Sequence, residues 1–202
     1  REDRGGGDPA RLQIAHYAAN PAWDGLTFAE VLKREGRAQS IDEAAELAME
    51  IQANGGAQGI FHAINEDDVK YIMAYPITAI ATDAGGSELG QGNPHPRGYG
   101  TFPRVLGHYV REQGVISLPD AIRKMTSLPA ARMGLTDRGV IAQGYAADIV
   151  ILDPETVADK STFSAPHQYA EGIQYVIING LVIKSPDGMT GKSAGQILRH
   201  TL

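Results

Sequence analysis

The side chain best placed to do chemistry is Asp83. It closes the run Ile77-Thr78-Ala79-Ile80-Ala81-Thr82 and is followed by Ala84-Gly85-Gly86. If that run is a buried strand, the carboxylate stands at its C-terminal end, where functional groups gather in α/β proteins. A carboxylate there serves as metal ligand, general base or both. The plainer alternative is an aspartate that caps the next element or opens a turn, and spacing alone leaves both open.

Downstream lies Gly92-Asn93-Pro94-His95-Pro96-Arg97-Gly98-Tyr99-Gly100-Thr101-Phe102-Pro103-Arg104. Its glycines and prolines read as a loop, yet it carries His95, Arg97 and Arg104. The guanidinium fork matches both oxygens of a carboxylate, so Arg97 suits an acidic ligand. A solvated surface loop has the same composition. His16, His62, His95, His108, His167 and His200 include neither a His-x-His pair nor His-Glu-x-x-His. His62 sits in an apolar run and reads as a packed, hydrogen-bonded imidazole. His108 and His200 read as structural or exposed, and His167 as a loop residue packing on a β-rich region. Neither Gly85-Gly86 nor Gly5-Gly6-Gly7 leads into the Lys-Ser/Thr of a phosphate loop. Gly191-Lys192-Ser193 has Pro186 where that loop needs glycine. No Gly-x-Ser-x-Gly is present.

The elements that must position these residues alternate in type. Thr27 to Lys33 predicts a short helix. Ser40 and Glu43 fit a capping box, and Ile41, Ala44, Ala45, Ala48 and Ile51 recur at helical spacing. Asn54-Gly55-Gly56 ends that helix. The near-continuous apolar run from Gly59 to Ile64 predicts a buried strand. Asn65, with Glu66, Asp67 and Asp68 behind it, predicts a helix ending before Pro76. The run Ile77 to Thr82 predicts the next strand. Apolar strands alternating with helices imply a parallel α/β sheet. Pro103 to Gln113 and a segment capped by Ser117 predict two more helices. Beyond residue 132 short apolar runs alternate with turns, and Asn179-Gly180 between Tyr175–Ile178 and Leu181–Ile183 predicts a type I′ hairpin.

Composition narrows the classes. In 202 residues, 43% hydrophobic and 21% charged side chains can bury a core. The net charge of −6 and the lack of a basic run argue against a nucleic-acid partner. No apolar stretch approaches a membrane span. With no cysteine, disulfides and thiolate metal sites are excluded within these residues. The start lacks both an initiator Met and the apolar core of a signal peptide. The expectation is therefore a cytoplasmic protein of which this chain begins mid-sequence.

The run from His95 to Gly107 resembles a signature block of the N-acyl-D-amino-acid deacylases (D-aminoacylases) of the amidohydrolase superfamily. Ala121 to Ala130, Asp137-Arg138-Gly139, Gly144 to Asp148, Asp153 to Val157, Pro166 to Tyr169 and Asn179-Gly180 continue the likeness in order. Upstream, Glu66-Asp67-Asp68-Val69 and Thr82-Asp83 fall where the family has Glu-Glu-Asp-Val and Ser-Asp-Gly. The resemblance implies an α/β fold: the C-terminal part of a (β/α)8 TIM barrel for residues 1–132, and strands of a small β-sandwich domain for residues 133–202. It implies zinc as cofactor and a small-molecule N-acyl-D-amino acid as substrate. Asp83 would contact the metal and carry a proton from the attacking water to the leaving amine. Arg97 would hold the substrate's α-carboxylate, with His95 lining the same pocket. Oligomeric state is left open.

Two departures accompany the likeness. Ala84 stands where the family has glycine, and the family's other ligands, a His-x-His pair, a cysteine and further histidines, do not occur here. A (β/α)8 barrel takes about 250 residues, and a catalytic zinc commonly takes three protein ligands. The isolated chain is therefore expected to be inactive and, with open strand edges, to aggregate or need a partner. The alternatives are a non-catalytic half-barrel with a structural or binding role, or another amidohydrolase such as a cyclic amidase or dipeptidase. The His95 to Gly107 block speaks against the latter.

Overall fold

A computed structural model describes residues 7–86 and 88–198. Gly5, Gly6 and His200, considered above, lie outside the described residues. The chain gathers into two compact units. The first takes in the residues up to Glu66, Asp83–Tyr99 and Ser161–Gln168; the second holds Asp67–Thr82, Gly100–Lys160 and the residues from Tyr169 on.

The first unit is built on strand β1 (Leu12–His16), helices α1 (Phe28–Arg34) and α2 (Ile41–Ala53), and strand β2 (Gln58–Phe61). Thr27 and Glu30 cap α1 reciprocally, each side chain serving the other residue's backbone N–H. At α2 only half of the expected box forms. Ser40 accepts from the Glu43 N–H, but the Glu43 carboxylate is held by Arg37 at 2.7 Å. The buried stripe of α2 is also rotated from expectation: Leu47 and Ile51 are buried, whereas Ile41 and Ala48 are exposed. The larger side chain at Leu47 offers more apolar area than the alanines, and burial follows area. Ile14, Tyr17, Phe28, Val31, Leu32, Leu47 and Ile51 form the core.

β2 pairs antiparallel with β1, Gln13 opposite Ile60, and Ile60 is its one buried residue. The expected parallel sheet is thus corrected within the described residues, because the second apolar run, 77–82, forms no strand. That run has no ladder neighbour and is fastened by other means. The Ile80 N–H donates to the Lys124 carbonyl at 3.0 Å. The Lys124 ammonium donates to the Tyr75 and Thr78 carbonyls, and Arg123 to that of Pro76.

In the second unit, α3 (Glu66–Ala74, its first residue excepted) precedes that run. Helix α4 (Arg97–Arg104) enters from the first unit and starts earlier than expected, at Arg97. It passes into a π-helical stretch, Val105–Glu112, two residues after Pro103. Proline removes a backbone donor and crowds the carbonyl four residues back, so the wider register follows where the α ladder is broken. Then come α5 (Leu118–Met125), capped by Ser117 as expected, and α6 (Ser127–Arg132). Four antiparallel strands complete the unit in sequential order: β3 (Ile149–Leu152), β4 (Ile173–Ile178), β5 (Leu181–Ser185) and β6 (Gly188–Met189). Asn179 and Gly180 both take positive φ, 47° and 79°, giving the expected hairpin turn. Asp148, from the Ala147-Asp148 motif, pins that turn: its carboxylate accepts from the Asn179 N–H at 2.7 Å and pairs with Arg138. Val157, Leu152 and Ile173 pack with Met73, Leu106, Tyr109 and Ala121 in one core. Among the described residues no helix is long and apolar enough to cross a membrane.

Candidate functional site

Asp83 follows the run 77–82 in a left-handed backbone conformation, φ 48°. Aspartate tolerates this better than most residues, because its short side chain can hydrogen-bond locally. Its Oδ2 lies 3.1 Å from Nη2 of Arg97. The two residues singled out from the sequence are therefore neighbours, on the same side as the His-Pro-Arg segment. The pair faces solvent: the Asp83 side chain is 87% exposed and that of Arg97 41%. A pair this open contributes little to stability.

His95 accepts the Arg97 N–H on Nδ1 at 3.1 Å, which fixes its lone pair toward the start of α4. Its ring meets the Phe163 ring edge-on, centroids 5.0 Å apart. Burial first, then the positive charge of Arg97, pushes its pKa down to about 4 against the opposing pull of Asp83. His95 is thus neutral at pH 7, matching its role as acceptor. All three expected site residues, Asp83, Arg97 and His95, come together in the first unit.

Sequence reasoning missed the frame beneath them. Strand alternation turns Ile14 into the core and Gln13 to the opposite face. There the buried Gln13 amide donates to the carbonyls of Gly25 at 2.8 Å and Phe163 at 3.1 Å. Buried Asn93 donates to the same Phe163 carbonyl at 2.8 Å. Gly25, at φ 84°, lies where a Cβ would come within 3.3 Å of the Asn93 side chain, so glycine is needed there. His62 stands one residue past β2; its Nε2 meets the Gln13 Oε1 at 3.0 Å and its ring packs on Phe163. The reading of His62 as packed and hydrogen-bonded holds.

The placement of His167 is corrected: it belongs to the first unit. It accepts the Gly90 N–H at 3.2 Å on Nδ1, which also meets the Tyr99 hydroxyl at 2.9 Å. Its Nε2 donates to the Gly92 carbonyl at 3.0 Å. An imidazole with one acceptor and one donor nitrogen satisfies that loop where aliphatic packing cannot. His108 bonds Glu112 at 2.8 Å along its own π-helical stretch.

Among the described residues no group of three or more His, Asp or Glu side chains is arranged to hold a metal ion. A catalytic zinc needs about three protein ligands, so these residues do not by themselves fit one.

With this geometry in view, comparison with known proteins places the chain in a class: residues 12–183 match the amidohydrolase family, and the chain belongs to it. A D-aminoacylase from Alcaligenes xylosoxydans xylosoxydans is 40% identical over 181 residues, covering 90% of this chain and 35% of that enzyme. A crystal structure of a D-aminoacylase, described as defining a subset of amidohydrolases, superposes with a TM-score of 0.77 at 38% identity, over 90% of this chain and 36% of that one. The N-acyl-D-glutamate deacylase of Bordetella bronchiseptica was solved with zinc and a phosphonate that mimics the tetrahedral intermediate. It is 33% identical with a TM-score of 0.75, over 89% of this chain and 36% of its own. The chain thus spans about a third of the length of the relatives it matches.

Proposed function

We propose that this chain is the C-terminal part of a zinc-dependent amidohydrolase that cleaves the amide bond of N-acyl-D-amino acids. The observation that carries the reading is the meeting of Asp83 and Arg97, two residues the family resemblance marks as proton carrier and carboxylate binder. Residues 1–132 belong to the barrel and 133–202 to the small β domain. The exposed apolar side chains of Phe61 and Ile64 in the first unit, and of Tyr71, Ile72, Tyr75 and Ile77 in the second, support a missing remainder of the barrel.

In this reading Arg97 leaves Asp83 to bind the substrate's α-carboxylate, an exchange of one carboxylate for another that costs little at an exposed pair. The freed Asp83 accepts the proton of the attacking water and returns it to the leaving amine. Neutral His95 lines the pocket without competing for charge. Zinc is held mostly by residues outside this chain, with Asp83 as its one ligand here.

The test compares the full protein with this chain alone, assaying amine release from N-acetyl-D-amino acids and their L-enantiomers. The full protein is expected to hydrolyse the D-series in a zinc-dependent way, and the isolated chain to hold no zinc and turn nothing over. A full protein inert toward the whole D-series contradicts the proposal. It would favour the second reading, a non-catalytic half-barrel, for which the solvent exposure of the Asp83–Arg97 pair speaks.

A further inference from the structure

The frame under the site fixes a tautomer. The terminal atom of Gln13 that meets the Gly25 and Phe163 carbonyls must be its nitrogen, because two acceptors surround it. The amide oxygen is therefore the atom facing Nε2 of His62 at 3.0 Å. An amide oxygen only accepts, so Nε2 must carry the proton. In the singly protonated ring this leaves the lone pair on Nδ1. That atom has no hydrogen-bond partner among the described residues, and the His62 ring is only partly buried. It is an open acceptor.

Its surroundings belong to the candidate site. His62 and His95 pack on the same Phe163 ring, at 4.5 and 5.0 Å, and the charges of Arg97 and Asp83 act on His95. Nearby, His95 Nδ1 is taken by the Arg97 N–H, the Gln13 amide nitrogen by two carbonyls, and the Asn93 amide nitrogen by the Phe163 carbonyl.

We propose that Gln13, anchored by the Gly25 and Phe163 carbonyls, locks His62 as the Nε2–H tautomer so that Nδ1 accepts a hydrogen bond from the N–H of an N-acyl amino acid. The inference rests on the deacylase reading for its ligand, while the tautomer itself follows from the hydrogen bonds alone. His62 is in this sense a specificity-determining acceptor, and Gln13 and Phe163 are positioning residues. An ester of the same acid lacks that N–H and gains nothing from Nδ1.

Two measurements on the full protein test this. In ring-15N-histidine spectra at pH 7.5, His62 should show a protonated Nε2 and a bare Nδ1, and Gln13→Leu should replace that single form with a mixture. A protonated Nδ1 in the unaltered protein, or an unchanged single form in the variant, overturns the lock. In kinetics, His62→Gln keeps an N–H toward Gln13 but offers nothing at Nδ1; it should raise KM for an N-acetyl-D-amino acid about tenfold, the loss of one hydrogen bond, with kcat little changed. His62→Asn puts an amide oxygen where Nδ1 stands and should restore KM to within about threefold. Equal KM values for the unaltered protein and His62→Gln, with activity intact, overturn this proposal and leave the deacylase reading standing. An unaltered protein without deacylase activity overturns that reading and the ligand named here, whatever the spectra show.

Discussion

Lys124 is fully buried, with 0% of its side chain exposed, and its ammonium reaches the carbonyls of Tyr75 and Thr78, with Asp120 Oδ2 at 3.9 Å. These bonds stand in for the ladder that residues 77–82 lack, and that run leads through Thr82 directly into Asp83. Lys124→Met keeps the stem's volume and removes the charge. Each of the two carbonyls then loses a charged donor worth about 1.5–3 kcal/mol. Relief of the buried ammonium's desolvation offsets part of the loss. A net local destabilisation of about 2–4 kcal/mol is the balance. Asp120 keeps its 2.8 Å pair with Arg123, so α5 itself should persist. The sensitive probe is amide hydrogen exchange at Ile80, whose N–H donates to the Lys124 carbonyl. Exchange there should quicken about 30- to 1,000-fold while the first-unit core, at Val31 and Leu32, is unaffected. If Ile80 exchanges within about threefold of the unaltered rate, the clamp is not what holds this segment.

His95 gives a pH signature. Its folded pKa, about 4, lies below the ordinary imidazole value of 6.5. The unfolded chain therefore binds the extra proton first; the stabilisation is complete above pH 6.5 and is lost as pH falls toward 4. Screening at this half-exposed ring reduces the effect to about 1–2 kcal/mol. Denaturant titrations from pH 4 to 7.5 should show His95→Gln with a flatter profile than the unaltered protein, and a parallel profile would refute the assignment. At the hairpin, Gly180→Val forces a β-branched side chain to φ 79°. It should cost about 1–2 kcal/mol, seen as a lower urea midpoint, whereas an unchanged midpoint would deny that the turn sets the pairing of β4 and β5.

Features set by neighbouring residues were legible in the sequence. Ser117 capped its helix and Asn179-Gly180 turned its hairpin because each acts through its own backbone within a few positions. Features settled by competition were not. Ser40 and Glu43 have the spacing of a capping box, but Arg37, from outside the helix, takes the carboxylate. The run Ile77 to Thr82 has a strand's composition, and composition is silent on whether a neighbouring strand exists. At the site, Asp83, Arg97 and His95 stood out through charge, loop chemistry and family likeness. Gln13 and Phe163 did not, since a neutral amide and a backbone carbonyl 150 residues apart leave no periodicity or motif. The one available hint was Gln13, a polar residue between two apolar neighbours of a strand.

The central claim is that the Asp83 carboxylate carries the proton in amide hydrolysis. Asp83→Asn is nearly isosteric and, at a side chain 87% exposed, should leave the fold intact. The decisive measurement is kcat of the zinc-loaded full protein toward an N-acetyl-D-amino acid, with near-UV circular dichroism confirming the fold. A loss of about 10²- to 10⁴-fold is expected for removal of a general base. Turnover within about threefold of the unaltered enzyme would contradict the account.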